Sequence, residues 1–330
     1  MRHFPNVTDV TNEEGQYQGY IQYYLQFINY PYLVNKIQDA SIIYIPFFWS
    51  FFEVHTKRPH LDEFVKYFQF LSRLRLRDDQ IILVFHLYIG IDDLFRLENQ
   101  QCKKCVFGIY TTQYKYQQFP MVHGTGFPQL PPLIAERLNL KRDLFFVCIM
   151  GLDKNNYRRV LMEKIRTFIS NNPEYKSIAI DLDQYSISKK SEILQLLPYY
   201  YSRSIFTLVP IGHVATSKRF YDAIVYGSIP VVLAYDYEFA FSDFINYSEF
   251  VIYIHTDRTD DIFNILLDYL KKPELIKKMQ DAAKRAAKKL RFHTEIPVPG
   301  EGLDTLLKQL KYRYIDKKEP IKDNLPKVYR

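Results

Sequence analysis

The chain has 330 residues, of which 47% are hydrophobic and 25% charged, so it is long enough for two domains and typical of a globular protein. Its formal net charge is +7, but no DNA-binding or RNA-binding module signature is present, and we expect no nucleic-acid partner. Three cysteines, Cys102, Cys105 and Cys148, are too few for a disulfide framework and do not complete a zinc site.

No membrane-spanning segment is expected, because the longest apolar run, residues 42–52, contains Pro46 and Ser50 and is far shorter than about 18 residues. The first residues also lack the apolar stretch of a secretory leader. We therefore expect a cytoplasmic protein. The oligomeric state stays open.

The first 140 residues alternate between helical and strand patterns. A Tyr-rich segment at residues 16–32 is predicted to be helical after a polar lead, and apolar spacing predicts a helix at residues 61–76. Buried or short strands are predicted at residues 42–52, 81–85, 106–110 and 120–123. A Gly- and Pro-rich stretch, residues 124–143, predicts a hinge near residue 140.

The second half repeats the alternation. Strands are predicted at residues 144–150, 177–180, 205–209 and 229–234, and helices at residues 157–169, 191–201, 241–246, 259–270, 273–290 and 303–312. Such alternation is typical of parallel sheets, in which ligands bind beyond the carboxyl ends of the strands. We expect a domain at 1–140, a second at 141–290, and a tail at 291–330 that crosses back to the first domain.

Residues 204–254 carry the most informative pattern: strand, Gly-containing loop, short helix, strand, helix, strand. Ser217 is predicted to cap the helix and Gly227 to follow its end. Arg219 and Asp222 lie three positions apart near the helix N-terminus. That terminus and an arginine favour phosphate, and the carboxylate suits a ribose diol. The spacing alone favours the alternative, an ordinary strand–helix–strand unit with a surface ion pair.

The same stretch resembles the exostosin-type glycosyltransferases of family 47. The resemblance lies in SIFTLVPIG, then SKRFYDAIVYGSIPV, then EFAFSDFINYSEF. It implies a GT-B fold: α/β, with two Rossmann-like parallel-sheet domains facing a central cleft. It also implies an inverting transfer from a UDP-sugar of xylose, glucuronic acid, galactose or arabinose type to a glycan hydroxyl, without a metal cofactor. Eukaryotic enzymes of this type are anchored Golgi proteins, so a shortened piece of such an enzyme would belong in the Golgi lumen instead of the cytoplasm.

The resemblance assigns donor-binding roles to residues of the second half. Arg219 and Arg158 would hold the diphosphate, Asp222 the ribose, and Glu238 the donor sugar, unless Glu238 only caps a helix at 241–246. Arg158 is equally well explained as a solvated residue at a helix start. The remaining expected donor-site residues are Gly151, Gly212, His213 and Ser217. Where relatives often carry a basic residue before the loop glycine, this chain has Ile211.

The catalytic base is expected in the first half. Asp92 and Asp93 lead, followed by Glu53 and His55. Asp181 and Asp183 have the spacing of the paired aspartates that bind the metal in metal-dependent glycosyltransferases. Two aspartates after a strand are also common turn formers, and we expect no metal site here. The main alternative function is a non-catalytic sugar-binding partner of another glycosyltransferase.

Overall fold

The computed structural model describes residues 24–45, 73–85, 105–109, 121–123, 140–152, 156–211, 217–235, 237, 239–291, 296–319 and 321–329. The chain forms two compact units. The first contains Met1–Pro128 and Leu290–Pro320, and the second contains Gln129–Lys289 and Ile321–Arg330.

The described strands of the first unit form one parallel sheet in the order β1-β2-β3-β4. They are β1 (Ile42–Ile45), β2 (Ile81–Phe85), β3 (Cys105–Ile109) and β4 (Met121–His123). Gln80 fixes the start of this sheet, because its side-chain amide donates to the carbonyls of Ile37 and Ala40 at 2.7 and 2.6 Å. The next three residues, Ile81 to Leu83, are buried.

The described strands of the second unit form a six-stranded parallel sheet in the order β10-β9-β8-β7-β5-β6. They are β5 (Leu144–Met150), β6 (Ile178–Asp181), β7 (Ser204–Pro210), β8 (Ile229–Leu233), β9 (Ile252–Ile254) and β10 (Val328–Tyr329). Every residue of β5 and β8 is buried, as expected for strands covered on both faces.

Helices connect these strands. In chain order they are α1 (Asn156–Asn171), α2 (Ile187–Gln195), α3 (Leu197–Arg203), α4 (Lys218–Val225), α5 (Ile262–Leu270), α6 (Pro273–Leu290) and, in the first unit, α7 (Gly302–Leu310). A short π-helical turn, Lys311–Ile315, follows α7. Among the described residues, none of the helices is long and apolar enough to cross a membrane.

The predicted α/β class with two parallel sheets is confirmed. One predicted helix, residues 191–201, was wrong in its bounds: the structure has two helices that meet at Leu196. Pro198 lies in the first turn of α3, where its missing N–H costs no hydrogen bond, so a helix begins there instead of running through.

Two further helix predictions were corrected. Residues 240–244 form a turn, in which the N–H groups of Phe244 and Ile245 donate to the Phe241 carbonyl, so the helix predicted at 241–246 is absent. Phe241 itself has a φ of 55°, which no helix tolerates. Residues 73–76 are not helical, whereas most of the helix predicted at 61–76 lies outside the described residues.

Candidate functional site

The strand order of the second unit singles out one place in its sheet. After β5 the chain adds β6 on one side, and β7 then pairs with the other side of β5. Such an order creates a topological switch point between β5 and β7, and open α/β sheets bind ligands beside the carboxyl ends of the strands at that point. These ends are Gly151, after β5, and Ile211, after β7.

Arg158, in the first turn of α1, joins the two strand ends. Its Nη1 donates to the Gly151 carbonyl at 2.9 Å, and its Nε donates to the Ile211 carbonyl at 2.9 Å. Two peptide carbonyls therefore hold a half-buried guanidinium across the switch point. The alternative prediction, a solvated arginine at a helix start, was wrong.

Arg219, in the first turn of α4, also contacts β5. Its Nε donates to the Ile149 carbonyl of β5 at 2.9 Å. Its two Nη groups have no hydrogen bond to any residue that the structure describes, although residues 212–216 lie outside that set. The bond from Nε thus fixes the guanidinium at the end of β5.

Asp222 is only 3% exposed, so the predicted surface ion pair with Arg219 was wrong. One carboxylate oxygen, Oδ2, accepts from the Lys218 Nζ at 2.6 Å, one helical turn earlier. The other, Oδ1, is buried without a hydrogen-bond partner among the described residues. Burial raises the pKa of Asp222, and the neighbouring Lys218 and Arg219 oppose that shift.

At the two ends of α4, the prediction for Gly227 is confirmed and that for Ser217 is corrected. Ser217 is the N-cap residue, but its side chain makes no capping hydrogen bond, and its backbone N–H donates to the Tyr237 hydroxyl at 3.2 Å. Gly227 follows the C-cap residue Tyr226 with a φ of 71°, as the helix-end prediction requires. Tyr237 is a contact that the sequence did not indicate, since nothing in the pattern marks a hydroxyl twenty positions away.

The two aspartates after β6 are built into a turn. Asp181 accepts a hydrogen bond from the Asp183 N–H at 3.0 Å and so caps a short 3-10 helix. The Asp183 carboxylate pairs with Lys190 at 3.4 Å. It also lies near Gly151, where an added Cβ would be 3.1 Å from the carboxylate, so a larger residue there would need a small shift of this exposed side chain.

Among the described residues, no three His, Cys, Asp or Glu side chains form a group that could hold a metal ion. The preference for turn formation over metal binding at Asp181 and Asp183 stays a prediction.

Cys148 lies in β5 beneath these arginines and is fully buried. Burial raises the pKa of its thiol to about 11, although Arg219 and Arg158 act in the opposite direction. The thiol is therefore a neutral packing group at ordinary pH.

Of the predicted donor-site residues, hydrogen bonds bring Gly151, Arg158 and Arg219 together at the strand ends of the second sheet. Ser217 is the N-cap residue of the helix that carries Arg219, and Asp222 is buried further along the same helix. Gly212, His213 and Glu238 lie outside the described residues, as do all four base candidates, Glu53, His55, Asp92 and Asp93. Sequence reasoning missed Lys218 as the partner of Asp222, although their spacing of four in a predicted helix is the usual signal for such a pair.

One known family matches nearly half of the chain. Residues 113–268 match the Exostosin GT47 domain. The chain resembles the exostosin-type glycosyltransferases. The resemblance drawn from the sequence is confirmed, and we refer to residues 113–268 as the exostosin-like segment. All eight predicted donor-site residues, from Gly151 to Glu238, lie inside it, whereas the four base candidates precede it.

Similar curated proteins come from plants. A probable glucuronosyltransferase of Oryza sativa subsp. japonica is 28% identical over 108 residues, which are 33% of this chain and 26% of that protein. A probable beta-1,4-xylosyltransferase of Arabidopsis thaliana is 27% identical over 108 residues, again 33% and 26% of the two chains. The matched region thus spans about a quarter of the length of these relatives.

Solved structures are similar at low sequence identity. The crystal structure of TarM shares 12% identity over 77% of this chain and 58% of that one, with a TM-score of 0.42. Sucrose-phosphate synthase from Thermosynechococcus elongatus shares 13% identity over 78% of each chain, with a TM-score of 0.40.

Proposed function

We propose that the protein is a nucleotide-sugar-dependent glycosyltransferase whose donor binds at the switch point of the second sheet. One observation carries the proposal. Within the exostosin-like segment, both Arg158 and Arg219 donate hydrogen bonds to backbone carbonyls near the strand ends. The acceptors are the carbonyls of Gly151 and Ile211 for Arg158, and that of Ile149 for Arg219. Two positioned guanidiniums at the edge where α/β sheets bind ligands suit a diphosphate.

The chemistry requires a stabilised leaving group. Transfer of a sugar breaks the bond between its anomeric carbon and the donor diphosphate, so negative charge grows on the departing phosphate oxygen. Arginines held in fixed positions stabilise that charge without reorganising during the reaction. The N-terminus of α4 adds peptide N–H groups directed at the same edge. We propose that these groups suffice and that no metal takes part.

We assign Asp222 to the ribose of the nucleotide. The bond from Lys218 holds its carboxylate in place through Oδ2, and the unbonded Oδ1 is the acceptor for a hydroxyl. Because a buried acceptor without a partner costs free energy, a ribose hydroxyl at Oδ1 would stabilise the bound state.

The donor is proposed to be a UDP-sugar and the acceptor a glycan hydroxyl. The hydroxyl attacks the anomeric carbon of the donor sugar and inverts its configuration. The similarity to a probable glucuronosyltransferase and a probable xylosyltransferase of plants favours a glucuronic acid or xylose donor over galactose or arabinose. Removal of the acceptor proton falls to one of Asp92, Asp93, Glu53 and His55, which remain predictions. A cytoplasmic location also remains a prediction.

The decisive experiment measures UDP binding by calorimetry in wild type and Arg219→Ala. We expect at least a tenfold loss of affinity, because a charged hydrogen-bond donor to phosphate contributes about 1.5–3 kcal/mol. Arg166→Ala on the exposed face of α1 is the matched control and should bind UDP as wild type does. Equal affinity in all three proteins would remove Arg219 from the site.

Activity in the presence of EDTA tests the metal-free mechanism. We expect turnover of the best UDP-sugar to persist in EDTA and in Asp183→Asn, because the arginines neutralise the diphosphate. Loss of turnover in EDTA, restored by Mn²⁺ or Mg²⁺, would assign Asp181 and Asp183 to a metal site and contradict the proposal.

One observation favours the alternative of a non-catalytic sugar-binding partner. Ile211 lies where related sequences often have a basic residue, and it is buried, contributing only its backbone to the site. A screen of UDP, GDP and their common sugars by thermal shift, followed by turnover assays, separates the two functions. Binding of a nucleotide sugar without hydrolysis or transfer to any acceptor would support the partner role.

A further inference from the structure

Helix α6 presents a strongly basic surface that the proposed donor site does not use. Its apolar side is buried, including Ile276 and Met279 together with four alanines. Its other side is exposed and carries six cations, which we call the basic face: Lys277, Lys278, Lys284, Arg285, Lys288 and Lys289. Glu274 and Asp281 are the anions exposed on the same side.

The cations are arranged as two rows. At 100° per residue, Lys277, Lys284 and Lys288 lie along one side of the exposed arc, and the other three along its other side. The rows extend about 18 Å, because a helix rises about 1.5 Å per residue. From Lys284 to Lys289 the exposed residues are all cationic.

The protein itself neutralises little of this charge. Arg285 pairs with Glu249 at 3.1 Å, and the Lys289 ammonium donates to the Phe244 carbonyl. Lys277, Lys278, Lys284 and Lys288 have no ion-pair partner among the described residues. Lys284 and Lys288 are like charges one helical turn apart, as are Arg285 and Lys289, and such pairs mildly destabilise a helix. The fold therefore gains little from this clustering.

The amino-acid composition of the basic face indicates which kind of anionic partner it can bind. The exposed side of α6 has no aromatic side chain, although the whole chain contains 28 tyrosines and 25 phenylalanines. A surface without stacking groups is poorly suited to sugar rings or unpaired bases. Five of its six cations are lysines, which act as point charges and lack the planar fork that recognises one phosphate in a fixed orientation.

We propose that the basic face of α6 binds the surface of an anionic lipid bilayer. A convex row of lysines suits a laterally fluid array of lipid phosphates and carboxylates, and clusters of four to eight lysines or arginines on amphipathic helices are typical of such binding. Since the apolar side of α6 is buried in the protein, the attachment is electrostatic and on the membrane surface, without insertion of the helix. The proposal does not depend on the glycosyltransferase function.

The experiment measures co-sedimentation with phosphatidylcholine vesicles that contain 30% phosphatidylserine, and with vesicles of phosphatidylcholine alone. Wild type should bind the anionic vesicles at 0.1 M salt and be released at 0.5 M, because salt screens the attraction. The test variant carries Lys277→Gln, Lys278→Gln, Lys284→Gln and Lys288→Gln. We expect its partitioning to fall at least 100-fold, since each cation near such a surface contributes roughly fivefold.

A matched control removes four exposed or half-exposed lysines elsewhere in the second unit: Lys141→Gln, Lys176→Gln, Lys189→Gln and Lys271→Gln. It has the same net charge as the test variant and should bind anionic vesicles nearly as well as wild type. Thermal unfolding of both variants checks that they are folded, and UDP affinity should be unchanged in both.

Three results would overturn the proposal. Wild type could fail to bind anionic vesicles, or the test variant and the control could bind them equally. Tighter binding of duplex DNA or of an acidic polysaccharide, lost in the test variant and retained in the control, would assign the basic face to that polymer instead.

Discussion

Gly227 and Arg142 illustrate how single residues hold the second unit together. Arg142 donates from Nη1 to the carbonyls of Tyr201 and Ser204, and from Nη2 to the carbonyl of Tyr226. Its Nη2 occupies space that a side chain at position 227 would need, since an added Cβ would lie 2.7 Å away. One arginine thus satisfies the ends of α3 and α4 and the start of β7, and a glycine leaves room for it.

Gly227→Ala should lower the free energy of unfolding by about 2 kcal/mol or more. A left-handed φ costs a residue with a Cβ about 1 kcal/mol, and displacing Arg142 weakens charged hydrogen bonds. Urea unfolding measures the change. In an Arg142→Met background the same substitution should cost less, because the clash is gone. Equal costs in the two backgrounds would show that Arg142 does not contact position 227.

At the scale of elements, β10 was not predicted from the sequence. Its two residues are too short to give a periodic pattern, and they lie about seventy positions after β9, the strand they pair with. The Tyr329 carbonyl accepts from the His255 N–H at 3.0 Å, and its hydroxyl lies 2.9 Å from that of Tyr269. Earlier in the tail, the Ile321 N–H donates to Asp243 and the Asn324 amide to the Ser242 carbonyl.

Removing residues 328–330 should reduce the free energy of unfolding by about 1–3 kcal/mol, because at least two hydrogen bonds of roughly 1 kcal/mol each are lost. Amide hydrogen exchange in β9 should speed up, since that strand becomes an edge. Tyr329→Phe, which removes only the hydroxyl contact, should have a smaller effect. Unchanged protection of β9 after the truncation would contradict the pairing.

At the scale of the whole molecule, stability should depend on alkaline pH through buried groups. Burial raises the pKa of the Cys148 thiol from about 9 to about 11 and also raises the pKa values of Tyr201 and Tyr247. The folded state holds these protons more tightly than the unfolded state. Stability is therefore unaffected below the unfolded pKa values and decreases as pH rises above about 9.

Comparison of wild type with Cys148→Ala isolates the thiol, because both proteins share the tyrosines. Between pH 8 and pH 10.5, wild type should lose about 2 kcal/mol more of its free energy of unfolding than Cys148→Ala does. Urea unfolding at the two pH values measures this difference. An equal loss in both proteins would show that the thiol does not titrate differently on folding.

Sequence patterns alone predicted the parallel strands and most helices, because buried strands and amphipathic helices have local periods. The helix N-terminus drew attention to Arg219 and the family resemblance to Arg158, and their role in donor binding stays a prediction. Gly227 was also predicted from the sequence, since helices commonly end with a left-handed residue, most often glycine. Tertiary structure alone decided where these side chains meet.

The strand order placed β5 beside β7, so Arg158 bridges the carbonyls of Gly151 and Ile211, which are separated by sixty positions along the chain. It also buried Asp222 and gave it Lys218 as its partner. Such contacts depend on which strands become neighbours. The strand order results from packing across the whole sheet, so it cannot be predicted from a local sequence pattern.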